Sequence, residues 1–336
     1  DIGVDVDSYA AFAQLDYDIT EKMTLILGGR WTRDEKSIDL VQRLGTTPGF
    51  EPDGFVIFDT DTLDGQVIPS RPGRPVETDL SFNQFTPKLG IEYAVNPDLN
   101  VFATFTKGFK SGGWSARVLA ANEFFDFDPE KINSYEVGTK GSLFENRGNF
   151  SLTGFYYDYT NLFNTGTTND GSFGVATSDA EIYGIELETN WQLTAEIAAY
   201  ANVSWQDGKR KAVSAASIVL GDDFQRTPDW QAMVGFNGSH PVTDGLNVIY
   251  NASYSYMDKH YVNPQNTAPA LTGPIDLVNA LVGVESADGQ YRFTLGCRNC
   301  FSEKYIDQIL DFAALGFTTI YPGERSNWTA TLTTRF

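Results

Sequence analysis

SNWTATLTTRF, residues 326–336, decides the fold. Trp328, Ala330, Leu332 and Phe336 fall on one side of an extended chain, and Asn327, Thr329, Thr331, Thr333 and Arg335 on the other. Successive side chains of a strand point to opposite faces, so this stretch reads as a strand with one apolar and one polar face. The pattern recurs upstream. Tyr183, Ile185, Leu187, Trp191 and Leu193 alternate with Gly184, Glu186, Glu188, Asn190 and Gln192, and Leu246, Val248, Tyr250, Ala252, Tyr254 and Tyr256 form another apolar row. The pattern predicts about thirteen strands. They fall at 4–19, 22–35, 80–95, 98–112, 131–146, 149–164, 178–193, 196–210, 225–240, 245–260, 273–287, 290–301 and 324–336.

These strands exceed the usual five or six residues of a globular sheet and suit tilted membrane strands, which need roughly 9–11 residues. Aromatics crowd their ends, as in GFYYDY (154–159) and YSYMDKHY (254–261). Aromatic girdles at the two membrane interfaces would produce that. Tight turns at ITEKM, VNPDL, FENRGN, QLTAEI, PVTDGL and SADGQ alternate with longer links at 36–79, 113–130, 165–177, 211–224, 261–272 and 302–323. Short periplasmic turns and long extracellular loops are sorted this way in up-and-down membrane barrels. The tight turns recur at roughly 48 residues, a period that also occurs in propellers, but a propeller blade needs four short strands per repeat rather than two long ones.

No stretch reaches the roughly 18 apolar residues of a membrane-crossing helix, and lipid cannot satisfy an open backbone. The expected class is therefore all-β, an antiparallel up-and-down transmembrane barrel. The first predicted strand descends to a tight turn and the last descends from a long link, so the strand number is odd. Single-chain bacterial barrels normally have an even number. The chain is accordingly expected to build only part of a wall. DIGVDVDSYAAF shows no signal peptide.

A net charge of −20, from 44 acidic against 24 basic residues, argues against a nucleic-acid partner. Cys297 and Cys300 lack the second ligand pair a zinc site would need, so no metal centre is expected there. Three residues apart on a regular strand they point to opposite faces, which disfavours a disulfide unless the strand breaks between them. They are predicted to be packing residues. Asn149, Asn202, Asn237, Asn251 and Asn327 begin N-x-S/T triplets but fall in strands, as lumen-facing or strand-end asparagines.

FATFTKGFKSGGWSARV (102–118) followed by FDPEKINSYEVGTKGSLFENRGNFSLTGFYYDYTNL (127–162) resembles the central barrel of TonB-dependent outer-membrane receptors. SDAEIYGIELETNWQLT (178–194), LGCRNCFSEKY (295–305) and YPGERSNWTATLTTRF (321–336) resemble the segments that this family places next, penultimate and last. The family's barrels have 22 strands around a plug. The resemblance implies that residues 1–336 form a single domain supplying the last thirteen strands, with the plug and first strands preceding residue 1. It implies the bacterial outer membrane and energy-coupled uptake of a scarce ligand such as a ferric siderophore. The implied partners are the TonB complex, through the N-terminal region, lipid and lipopolysaccharide, the ligand itself, and the outer-membrane assembly machinery, which would read Phe336. No cofactor is expected. A passive porin is the alternative.

The long links are the expected capture surface. Lys110, Trp114, Arg117, Phe124 and Phe125 offer cations and aromatic area for an anionic chelate, or form a girdle or a packed loop core. Tyr305 and Tyr321 could cap the same mouth. Lys209, Arg210 and Lys211 read as a solvated rim, and Glu136, Lys140, Glu186 and Glu188 as lumen-facing charges. Catalysis usually needs a histidine beside an acid or nucleophile. Of two histidines, His240 sits at a tight turn and His260 shares a strand face with Asp258. The protein is expected not to be an enzyme.

Overall fold

The computed structural model describes residues 2–44, 55–59, 77–115, 124–167, 173–216, 218–312 and 316–336. Twenty strands occur among them. The first half of the chain holds β1 (Ile2–Thr20), β2 (Met23–Leu44), β3 (Phe55–Asp59), β4 (Asp79–Asn96), β5 (Leu99–Lys110), β6 (Gly113–Trp114), β7 (Asp126–Phe127), β8 (Glu130–Leu143) and β9 (Gly148–Thr167). The second half holds β10 (Phe173–Gln192), β11 (Ile197–Ala216), β12 (Trp230–Thr243), β13 (Leu246–Met257), β14 (His260–Tyr261), β15 (Leu271–Thr272) and β16 (Ile275–Ser286). It ends with β17 (Tyr291–Arg298), β18 (Ile306–Phe312), β19 (Phe317–Pro322) and β20 (Asn327–Thr334).

Thirteen of these form one antiparallel sheet in the order β1-β2-β4-β5-β8-β9-β10-β11-β12-β13-β16-β17-β20, with β3 paired to the outer end of β2. The wall is the thirteen-stranded sheet that the alternation predicts, with each expected strand in place. β1 and β20 are its two edges. The short pairs β6/β7, β14/β15 and β18/β19 stand apart from the wall, within the long links.

The register explains the alternation. Tyr17, Leu25, Ile91, Ala103, Val137, Gly154, Ile185, Trp205 and Trp230 are consecutive partners across nine strands. They lie on one face, on which Val137 is 64% exposed and Ile185 51%. The row on the other face, one residue along, reads Thr104, Glu136, Phe155, Gly184 and Gln206. Apolar side chains exposed on one face and polar ones on the other are what a sheet between lipid and a wet lumen requires. Next to the first row lie Phe105, Tyr135, Tyr156 and Tyr183, also consecutive partners. The Phe105 and Tyr135 rings are 5.0 Å apart and those of Tyr135 and Tyr156 6.2 Å apart, a continuous aromatic belt.

At the tight-turn end, side-chain acceptors two residues upstream satisfy the turn amides. Thr20 Oγ1 accepts from Lys22 N–H (3.2 Å), Asn96 Oδ1 from Asp98 (2.9 Å), Thr243 Oγ1 from Gly245 (3.3 Å) and Asp288 Oδ1 from Gln290 (3.0 Å). Such Asx- and ST-turns fix short reversals. The turn at Phe144, Glu145 and Asn146 instead carries three successive positive φ angles of 53°, 58° and 65°.

The boundaries differ from expectation at the long-link end. β2 runs to Leu44, β9 to Thr167 and β11 to Ala216, while β10 begins at Phe173. Above the bilayer both faces of a strand meet water, so the apolar alternation fades while the ladder continues. Residues 225–229, expected as strand, are not: Gln225 makes a single bridge to Tyr261, and Pro228 has no N–H to donate. Cys297 and Cys300 are joined by a disulfide, against the expectation of simple packing residues. β17 ends at Arg298 and Asn299 turns left-handed (φ 44°), so the strand is broken where the bridge forms. The five N-x-S/T asparagines lie on the inward rows or, for Asn327, at a strand start, as expected.

Candidate functional site

The buried apolar side chains of the described residues gather mainly at the long-link end, not between the tight turns. Phe124, Phe125, Phe224, Val262, Ala270 and Ile309 are among them. The wall thus carries a packed rim, and the rim holds the candidate site.

On the inward face a cleft of about 300 Å³ opens between the outer ends of β1, β2, β5 and β8. Lys36 and Lys110 supply its cations, Trp114, Phe127 and Phe163 its aromatic wall, and Val4, Val6 and Ile38 an apolar floor. Val6 and Lys36 are register partners, as are Lys110 and Glu130. Lys36 Nζ donates to the Gly112 carbonyl at 2.7 Å. Lys110 Nζ stands 4.8 Å above the Phe163 ring, a cation–π contact. Asp34 accepts from Ser8 Oγ at 2.6 Å and from Ser111 Oγ. The Trp114 indole donates to the Glu77 carbonyl at 2.6 Å, while β6 pairs Trp114 with Asp126. Lys36 and Lys110 share the lining with the carboxylates of Asp128 and Glu130, so the recess holds charges of both signs beside an aromatic wall that offers stacking area.

Lys110 and Trp114 therefore meet, as sequence grouping had them. Phe124 and Phe125 are 0% and 1% exposed, so they are packed inside the loop rather than presented to its surface. Arg117 lies outside the described residues. Lys36, Phe127 and Phe163 were not among the sequence candidates. The fading alternation puts Lys36 in a loop, whereas its pairing with Val6 of β1 places it on the inward face.

Tyr305 and Tyr321 belong to a second structure, the hairpin β18/β19. Tyr305 lies against Gly323, whose N–H donates to the Tyr305 carbonyl at 2.9 Å. Tyr321 is exposed. The hairpin packs against the link between β13 and β16 and the segment before β12, and none of its described residues lines the cleft of Lys110 and Trp114. Ile309 packs with Val262 and Ala270, Arg226 Nη2 donates to the Asp307 carbonyl at 2.7 Å, and Ile306 N–H donates to Thr272 Oγ1 at 3.1 Å. A polar cavity of about 290 Å³ beneath it reaches Thr165 and Gly166 at the end of β9.

The basic triplet separates. Arg210 is an internal brace, donating to the carbonyls of Gly221 and Asp223 (2.9 Å for the latter) and to Asn164 Oδ1 at 3.3 Å, with Phe224 4.7 Å beneath its guanidinium. Lys211 instead pairs with Asp158 (3.2 Å) and Glu181 (3.1 Å) on the outward face. Below the rim Lys140 stands 3.6 Å from Glu92, and Glu136 accepts from Ser134 Oγ at 3.1 Å, so these charges line the inward face as expected. Glu186 and Glu188 share that face with Ser204 and Asn202. Phe336 is fully exposed beyond the end of β20.

His260 makes no carboxylate pair with Asp258. Its Nδ1 is 3.0 Å from the Asp258 carbonyl oxygen, and the Asp258 carboxylate accepts from Lys259 N–H at 2.7 Å. Nearby Asp229, just before β12, has its pKa raised by burial and by the charges of Asp207, Asp258 and Asp223, against a smaller opposing effect of Lys259.

Long strands exposing apolar rows outward, short turns at one end and a packed rim at the other define an outer-membrane β-barrel wall. Residues 1–300 match the family model described as TonB dependent receptor-like, beta-barrel, and the chain belongs to that family of outer-membrane receptors. The metal-pseudopaline receptor of Pseudomonas aeruginosa is 29% identical over 138 residues, 40% of this chain and 19% of that protein. The ferric-pyoverdine BN7/BN8 receptor of Pseudomonas putida is 27% identical over 206 residues, 60% of this chain and 21% of that protein. The ferric yersiniabactin uptake receptor of Yersinia pestis has the same fold, with a TM-score of 0.78 at 15% identity, covering 100% of this chain and 46% of that one. The chain thus spans less than half the length of these relatives. Its place is the bacterial outer membrane.

Proposed function

We propose that this chain is part of the wall of a receptor that captures an anionic metal chelate of the siderophore kind and imports it with energy from the TonB complex. The observation that carries the proposal is the inward cleft at the long-loop end, where Lys36 and Lys110 face an aromatic wall of Trp114, Phe127 and Phe163. The relatives' ligands, metal-pseudopaline and ferric pyoverdine, support it. Lys110 and Trp114 are the proposed contacts, with Tyr305 and Tyr321 at the hairpin β18/β19. Phe124 and Phe125 support the loop from within. Arg117 joins the proposal by sequence position alone.

A sheet with two edges cannot stand open in lipid. The proposal therefore includes further wall strands and a plug in the same protein, the plug carrying the TonB contact and facing Glu186 and Glu188. Phe336 is proposed as the mark read by the assembly machinery. The proposal assigns no catalytic role, in keeping with a family of outer-membrane receptors.

The test is uptake of iron-55 loaded pyoverdine and iron-55 loaded hydroxamate by cells carrying the full-length protein, with and without TonB. Uptake of one of them that needs TonB and falls on Lys110→Ala/Trp114→Ala supports the proposal. TonB-independent uptake, together with steady ion conductance in planar bilayers, would assign a passive porin instead.

A further inference from the structure

Chelate capture in the Lys110 cleft gives no role to the Cys297–Cys300 disulfide. β17 ends at Arg298, and the chain reverses through Asn299, whose φ of 44° is left-handed. The disulfide spans this residue and holds the two cysteine Cα atoms 5.3 Å apart. Two amides fix the reversal to β16. Asn299 N–H donates to Asn279 Oδ1 at 2.9 Å, and Cys300 N–H donates to the Val278 carbonyl at 2.8 Å. Left-handed backbone is disfavoured for any residue with a side chain, although asparagine visits it more readily than most.

Asn299 is 4% exposed, and its side chain uses both amide hydrogens and its oxygen on the two stems of the hairpin β18/β19. Nδ2 donates to the Glu303 carbonyl and to the Glu324 carbonyl, each at 2.9 Å, and Oδ1 accepts from Glu303 N–H at 2.8 Å. Glu303 precedes β18 and Glu324 follows β19, so one side chain closes the base of the hairpin. The hairpin in turn walls the polar cavity at the end of β9, through Gln308, Ile309 and Leu310.

We propose that the disulfide is a redox-sensitive latch on this hairpin. Oxidised, it holds Asn299 left-handed, with its side chain between the stems. Reduced, it lets Asn299 return to extended backbone, the three stem hydrogen bonds are lost, and the hairpin swings off the cavity. The reductant is a small dithiol arriving at the rim from outside. Cys300 is the sulfur it reaches, being half-buried, whereas Cys297 is 7% exposed between Ala280 and Trp328. One thiolate of the dithiol attacks Cys300 Sγ, which breaks the S–S bond and leaves Cys297 as a thiolate. The second thiolate of the dithiol then attacks the first sulfur, closing a cyclic disulfide and releasing Cys300 as a thiolate. The two electrons come from the dithiol, and its two protons end on the cysteines.

The test uses the full-length protein in maltoside micelles, oxidised or treated with dithiothreitol, and reads hydrogen exchange by mass spectrometry. Dithiothreitol should let N-ethylmaleimide label Cys297 and Cys300 in the folded barrel. Residues 303–312 and 317–324 should then exchange about twentyfold faster, the effect of releasing a loop this short, with β10 and β11 unchanged. Cys297→Ser/Cys300→Ser should match the reduced protein. Asn299→Gly keeps the left-handed turn and the disulfide but lacks the amide. Its stems should exchange fast while oxidised, and reduction should add less than about threefold. Dithiothreitol acts on the assembled barrel, so the outcome stands whether or not a variant assembles. The proposal is overturned if the folded barrel stays unlabelled, if reduction speeds the stems by less than about threefold, or if it loosens β16 and β20 equally. An undiminished effect of reduction in Asn299→Gly would overturn it as well.

Discussion

Ile309 holds the hairpin β18/β19 against the rim, and replacing it by alanine should release the hairpin while leaving the wall intact. Ile309 is 4% exposed and packs with Val262 and Ala270, flanked by Tyr261 and Ile306. Truncating a buried aliphatic side chain to alanine costs about 2–5 kcal/mol, the low end applying where few neighbours surround it. This cluster is small, so about 2 kcal/mol is expected, a shift of about thirtyfold in the opening equilibrium. The stem stays tethered, because the Arg226–Asp307 and Ile306–Thr272 hydrogen bonds do not involve the lost atoms. Hydrogen exchange followed by mass spectrometry reads the effect as local opening. Peptides covering residues 306–312 and 317–322 should exchange about thirtyfold faster, with β10 and β11 unchanged. A change below about threefold would mean that Ile309 does not hold the hairpin. Equal acceleration throughout the wall would mean that the hairpin is not a separate unit.

Three further outcomes are expected. Asp229→Asn removes a carboxylate pressed by burial and by Asp207, Asp258 and Asp223. It should raise stability near neutral pH by about 0.5 kcal/mol after solvent screening, and by less at low pH. The sign follows from its raised pKa: the native rim favours the protonated form, so its contribution is complete below the unfolded value and is lost as pH rises through the folded one. Thermal unfolding at two pH values checks this. Asp288, in the turn between β16 and β17, has its pKa depressed by hydrogen bonds from Ser286 Oγ (2.5 Å) and Gln290 N–H (3.0 Å). Its stabilisation is present above the unfolded value and lost as pH falls through the folded one, so Asp288→Ala should loosen the turn at pH 7 but not at strongly acid pH, by amide exchange at residues 286–290. Gly184→Val should block assembly, because a Cβ there would press on the Trp205 carbonyl and stand 2.6 Å from the Phe155 ring. Loss of the heat-modifiable form on gels reads that outcome.

The wall was legible in the sequence because lipid imposes a strict rule on alternate residues. Val137, Ile185 and Leu187 face outward where Glu136, Glu186 and Glu188 face inward, and nothing but the period of two was needed to separate them. The rule weakens once a strand leaves the bilayer. Lys36 and Ile38 both face the cleft, yet the apolar alternation fades by Asp34 and Glu35, so the predicted strand stops at Glu35 and the residues from Lys36 on read as loop. The disulfide escaped for a similar reason. Only the left-handed turn at Asn299 brings Cys297 and Cys300 together, and a strand drawn through 301 hides it. The grouping of Lys110 with Trp114 was visible by proximity in the chain. The burial of Phe124 and Phe125 was not, since aromatics in a loop look alike whether they pack or protrude. Lys209 and Lys211 turned outward while Arg210 turned inward, as alternation requires, but their roles depend on neighbours from other strands.

The most direct measurement places single nitroxide labels at Val137, Ile185, Glu136 and Glu186 of the full-length protein in bilayers and compares collision with oxygen and with a water-soluble nickel chelate. Val137 and Ile185 should collide with oxygen far more than with nickel, and Glu136 and Glu186 should show the reverse order. Four labels with the same oxygen-to-nickel ratio would contradict a wall with lipid on one side and an aqueous lumen on the other.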